Sequence, residues 1–113
     1  MSTLTVRYSP TLQTKLNAFK DVLLSEFTKA TTSALNVDPN GVIVELVPWS
    51  GSKPNNAPDV LIRAETSTRR RDHLKNWGEK LLIAWQTAAA DQDLPPIRVA
   101  VKSYVIDSEW TEL

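Results

Sequence analysis

The sequence predicts an α+β domain in which two βαβ units share one four-stranded mixed sheet, with two helices on one face. Three observations carry this reading. Short runs of alternating or β-branched residues occur at four places, over 3–8, 42–47, 59–66 and 97–106. Apolar residues at helical spacing fill the intervals 11–35 and 68–90. Turn and helix-breaking residues mark the joints, and 113 residues suit one domain rather than two.

The first run alternates Leu4, Val6 and Tyr8 with Thr3, Thr5 and Arg7, a strand with one apolar and one polar face. Ser9 is a plausible N-cap, and Pro10 suits the first helical position. From Thr11 the period changes. Leu12, Leu16, Phe19, Leu23, Phe27, Ala30 and Ala34 form one helical stripe, expected to fade after Leu35. Asp38-Pro39-Asn40-Gly41 is a turn, with proline fixing one dihedral and glycine permitting a positive φ.

Residues 42–47 are almost continuously β-branched, broken by Glu45, and read as a central strand that Pro48 ends. The stretch 50–58 holds Gly51, Pro54, Asn55, Asn56 and Pro58. It is a loop of about ten residues, long enough to be a candidate functional loop. In the third strand Val60, Ile62 and Ala64 face one way and Leu61, Arg63 and Glu65 the other. A helix with Thr68 as N-cap should then bury Leu74, Gly78, Leu81, Trp85, Ala88 and Ala89. Leu94-Pro95-Pro96 forbids its continuation. In the last strand Ile97, Val99, Val101 and Val105 alternate with Arg98, Lys102 and Tyr104. The chain is thus one domain over 1–113, with halves of about 1–49 and 59–106 joined by the loop. Each half should pair its two strands in parallel, and both helices should cover the same sheet face.

Composition narrows the function classes. Lys and Arg total 13, Asp and Glu total 13, so no whole-molecule field draws the chain to nucleic acid or an anionic membrane. The absence of cysteine removes thiolate chemistry, disulfides and Cys-based zinc sites, and fits a cytoplasmic location. The first ten residues lack the basic-then-apolar pattern of a secretory signal, and no apolar stretch approaches the roughly 20 residues of a membrane span. A single histidine, His73, and only three glycines leave no metal set, phosphate loop or cofactor motif to propose.

The face not covered by helices collects Thr3, Thr5, Arg7, Glu45, Arg63, Glu65, Arg98 and Lys102, together with Ile43, Val47, Leu61 and Ile106. Two readings stand: a solvated face with cross-strand ion pairs, or a subunit interface.

The element order and length resemble the tautomerase superfamily, the group that includes macrophage migration inhibitory factor, over nearly the whole chain. Ser2-Thr3-Leu4-Thr5-Val6 is similar to that family's first strand, and Val44-Glu45-Leu46-Val47-Pro48 to the strand after its first helix. Thr68-Arg69-Arg70-Arg71-Asp72-His73-Leu74-Lys75 is similar to the segment that opens its second helix. The resemblance implies a homotrimer with sheets inward and helices outward. It also implies a pocket at each subunit boundary near the N-terminus, closed by C-terminal residues such as Trp110. The family's catalytic base is an N-terminal proline, and this chain has Ser2 there. By the same resemblance, the pocket lysine of macrophage migration inhibitory factor falls near Val37, and the tyrosine and asparagine of its last core strand near Ala100 and Lys102, so its catalytic groups are not reproduced at these positions.

Several candidates follow. Ser2, once Met1 is removed, offers a primary amine as base; the alternative is a plain strand start. Arg7, Arg63 and Lys102, on one face, suit a small anionic or carboxylate ligand, since arginine grips carboxylates in two-pronged fashion; the alternative is pairing with Glu45 and Glu65. Trp110, like Trp49, could cap a pocket or subunit contact. Residues 69–71 form either an anion site or a solvated helix start. Three function classes stay open: an oligomer of this fold that is not a standard proline-dependent tautomerase, an isomerase of small keto–enol acids using the Ser2 amine, and a monomeric ferredoxin-like binding module.

Overall fold

The computed structural model of the protein describes residues 1–50, 53 and 56–106. Its strands are β1 (Ser2–Tyr8), β2 (Val42–Pro48), β3 (Val60–Ser67) and β4 (Val99–Ile106). They form one sheet in the order β2-β1-β3-β4, with β1–β2 and β3–β4 parallel and β1–β3 antiparallel. The helices are α1 (Gln13–Ala18), α2 (Lys20–Leu35) and α3 (Leu74–Ala89). The predicted four-stranded mixed sheet with helices on one face is therefore the observed architecture. Because β1 and β2 are direct neighbours, it is not the split βαβ arrangement of a ferredoxin-like domain.

Alternation places the core. Leu4, Val6 and Tyr8 of β1 and Val60, Ile62 and Ala64 of β3 are buried on the helix side, against Leu16, Leu23, Phe27, Trp77, Leu81 and Trp85. The helix layer carries a buried polar link, Trp77 Nε1 donating to Thr31 Oγ1 at 3.0 Å between α3 and α2. Phe19 and Trp85 meet edge to face with ring centroids 6.0 Å apart.

Four sequence expectations need correction. The stretch 42–47 is an edge strand, paired only with β1; its outward apolar residues serve an open surface and not a second helix layer. The first helix is broken at Phe19 (φ −124°, ψ 21°), where the buried ring packs on Trp85 and tertiary contact overrides a sequence with no Gly or Pro at the break. The second helix begins as a 3-10 turn, Thr68–His73, because Arg70 leaves helical dihedrals (φ −104°, ψ 16°), and Ser67 precedes it in extended conformation. Its buried stripe centres on Trp77, while Gly78 lies beside Ser103 Oγ and Val101 Cγ1 of β4.

Candidate functional site: the open sheet face

Strand register fixes the uncovered face as three rows. Ile43, Thr3, Glu65 and Tyr104 form the first, Glu45, Thr5, Arg63 and Lys102 the second, and Val47, Arg7, Leu61 and Ala100 the third. The face therefore brings Arg7, Arg63 and Lys102 together on β1, β3 and β4. Arg98 does not join them. It precedes β4, where its backbone N–H donates to Asp59 Oδ2 at 2.8 Å and its Nη1 to Asn56 O at 3.3 Å.

The centre of the face is a hydrogen-bonded chain. Arg63 Nη2 donates to the Tyr104 hydroxyl at 2.9 Å, and that hydroxyl donates to Glu65 Oε1. Lys102 Nζ stands 5.7 Å from the Tyr104 ring centroid and Arg63 Cζ 5.8 Å from it, both within cation–π range. Burial, then the hydrogen bond to Glu65, push the Tyr104 phenol above its ordinary value of 10.0. At neutral pH it is a proton donor to Glu65 and no base. Arg63 and Glu65, two residues apart on β3, are thus linked through the Tyr104 hydroxyl of β4.

Arg7 has a different setting. Its guanidinium lies 5.6 Å over the Trp49 ring, and the buried Trp49 indole N–H has no hydrogen-bond partner among the described residues. Stacking orients Arg7 and leaves its donors available to an anion. Exposed apolar side chains rim the face: Ile43 is 39% and Ile106 42% exposed.

Ser2 lies on the other side of the sheet. Its side chain is buried, with Oγ 3.1 Å from Thr66 Oγ1, and Met1 before it is exposed. Ser2 and Arg7, at opposite ends of β1, are separated by about 16 Å at the usual strand rise, so the two do not act on one small ligand within a single chain. The basic residues nearest in register to Ser2 are those of the turn after β3: Ser2 lies beside Thr66, and Arg69, Arg70 and Arg71 follow shortly. Arg70 Nη1 donates to Ser67 Oγ at 2.8 Å. Trp110 falls outside the described residues.

The sequence reading missed the part played by Tyr104 and by Trp49. Both were recoverable. Tyr104 shares the alternation of Lys102, and a parallel β3–β4 register puts it beside Glu65; Trp49 follows the strand end that Arg7 adjoins.

Comparison with solved structures identifies the fold. A fused 4-OT, solved as a symmetric trimer, matches with a TM-score of 0.69 at 18% identity, over 92% of this chain and 85% of its own. Malonate semialdehyde decarboxylase matches with a TM-score of 0.65 at 15% identity, over 96% and 88%. A macrophage migration inhibitory factor-like protein from Entamoeba histolytica gives 0.66 at 6% identity, over 93% and 88%. The chain has the tautomerase-superfamily fold. No family model and no curated protein matches its sequence. Among the described residues, no helix is long and apolar enough to cross a membrane.

Proposed function

We propose that this protein assembles as a homotrimer through its open sheet face, and that it does not carry out proline-dependent tautomerisation. The composition of that face carries the reading. Ile43, Ile106, Leu61 and Val47 surround a half-buried Arg63–Tyr104–Glu65 chain, a mixture suited to a partly wet subunit contact. The two edge strands complement each other. Exposed Glu45 on β2 and exposed Lys102 on β4 end the same register row, so the acidic edge of one copy suits the basic edge of the next. A head-to-tail contact of this kind closes into a ring when its rotation is a whole fraction of a turn. The trimeric fused 4-OT proteins of the same fold support a ring of three.

Serine at the family's proline position supports the second half of the proposal. A primary amine on serine is not the ring-constrained secondary amine that proline supplies. The fold therefore serves as a binding oligomer, with Arg7 the most available anchor for a small carboxylate.

One observation favours a second reading, an isomerase of small keto–enol acids using the Ser2 amine after removal of Met1. The neighbouring Arg69, Arg70 and Arg71 would favour the neutral, proton-accepting amine and hold a substrate carboxylate. Both readings are tested by assaying keto–enol tautomerisation of an aryl pyruvate with the natural protein and a Ser2→Pro variant, alongside the intact mass. The proposal expects a silent natural protein. Activity in a Met1-free natural protein, lost when Met1 is retained, would overturn it in favour of the isomerase.

A further inference from the structure

The helix layer leaves the edge of the sheet incomplete. Val44 and Leu46 of β2 point to the core side yet remain only half-buried, close to where the break at Phe19 divides α1 from α2. A cavity of about 320 Å³ opens there. Its size is at the lower end of the range for small-molecule sites.

The lining has a consistent chemistry. Val44 and Leu46 supply an apolar floor, while Gln13, Asn17 and Lys20 stand around the rim. Tyr8 also lines it, 4% exposed as a residue. Two carboxamides and an ammonium, all on exposed residues, and a phenol supply hydrogen-bond donors along the lining. No carboxylate lines the cavity, so its lining carries the single positive charge of Lys20.

We infer that this cavity is a binding site for a small monocarboxylate with a short apolar tail. The carboxylate meets Lys20 and the Tyr8 hydroxyl, Gln13 and Asn17 complete its hydrogen bonds, and the tail lies on Val44 and Leu46. The site stands on the helix side of the sheet, away from the open face, so it does not depend on the assembly proposed above. A neutral ligand would forgo the charge-assisted contact with Lys20, and a dianion would bring a second charge that no lining cation meets.

The test is an NMR titration of the ¹⁵N-labelled protein with sodium hexanoate, and with hexanamide as the uncharged counterpart. Saturable shifts are expected at the amides of Gln13, Asn17, Lys20, Val44 and Leu46, at ligand concentrations up to about 20 mM for so small a molecule. Hexanamide should bind at least about fivefold more weakly, since it loses a charge-assisted contact. Lys20→Gln, a change at an exposed position, should weaken hexanoate by a similar factor and leave hexanamide unaffected. Val44→Phe, which fills the floor, should abolish both, with a thermal melt confirming that the variant folds. The inference is overturned by the absence of saturable shifts, by shifts centred on the open face, by equal affinity for the two probes, or by a Lys20→Gln variant that binds hexanoate as the natural protein does.

Discussion

Thr31→Val should destabilise the protein out of proportion to the change in shape. Valine nearly matches threonine in volume, and Thr31 is fully buried. The hydroxyl accepts a 3.0 Å hydrogen bond from Trp77 Nε1, and Trp77 is itself fully buried. Valine leaves that indole N–H in an apolar layer with no water in reach. A stranded buried donor costs about 1–3 kcal/mol. For a chain of this length each kcal/mol shifts Tm by about 3–6 °C. Thr28→Val is the control: Thr28 Oγ1 donates at 2.9 Å to Leu24 O within its own helix, so its loss strands no donor. Urea titrations followed by tryptophan fluorescence, at one protein concentration because assembly would add to stability, measure both. The reasoning fails if Thr31→Val lies within about 0.5 kcal/mol of the natural protein, or if Thr28→Val costs as much.

Asp59 is held below its ordinary value of 3.8, first by the Arg98 backbone N–H and then by Lys53, so its stabilising effect is present above that value and lost as pH falls through the depressed one. The Tm difference between natural protein and Asp59→Asn should shrink on acidification below about pH 4; a difference that stays constant into strong acid contradicts this. Tyr104 behaves in the opposite sense, its contribution complete below 10.0 and fading as pH rises through its raised value. An ultraviolet titration should therefore show a late phenolate transition that Tyr104→Phe removes, and retention of that transition in the variant would refute the assignment. Glu45→Lys and Lys102→Glu should each weaken self-association at low salt and the pair together restore it, as judged by light scattering; additive losses in the double variant would exclude the edge-to-edge pairing.

The parts of the fold legible in sequence were those where a local pattern and the tertiary environment agree. In β1 and β3 strict alternation matches burial residue by residue. In β2 the same logic misled, because a β-branched run signals apolar surroundings on both faces without saying whether helix, strand or another chain provides them. The break at Phe19 has no local marker, since it answers to packing on Trp85, distant in sequence; nothing in the structure explains the non-helical dihedrals of Arg70, whose hydrogen bond is to nearby Ser67. The shift of the α3 stripe from Gly78 to Trp77 has a related cause: a large aromatic residue was passed over beside a small one that only permits close approach to β4. At the site, residue types and faces were readable, and Arg7, Arg63 and Lys102 do share one surface. Their partners were not. The bridge through Tyr104 and the stacking on Trp49 depend on register and side-chain reach.

Sedimentation equilibrium of the natural protein bears most directly on the proposed assembly. Homotrimer formation through the open face predicts a species of three times the chain's 12.6 kDa at micromolar concentration, reduced to the single-chain mass by Ile106→Asp. A natural protein that sediments as a single chain across that range, or a trimer indifferent to Ile106→Asp, would contradict it.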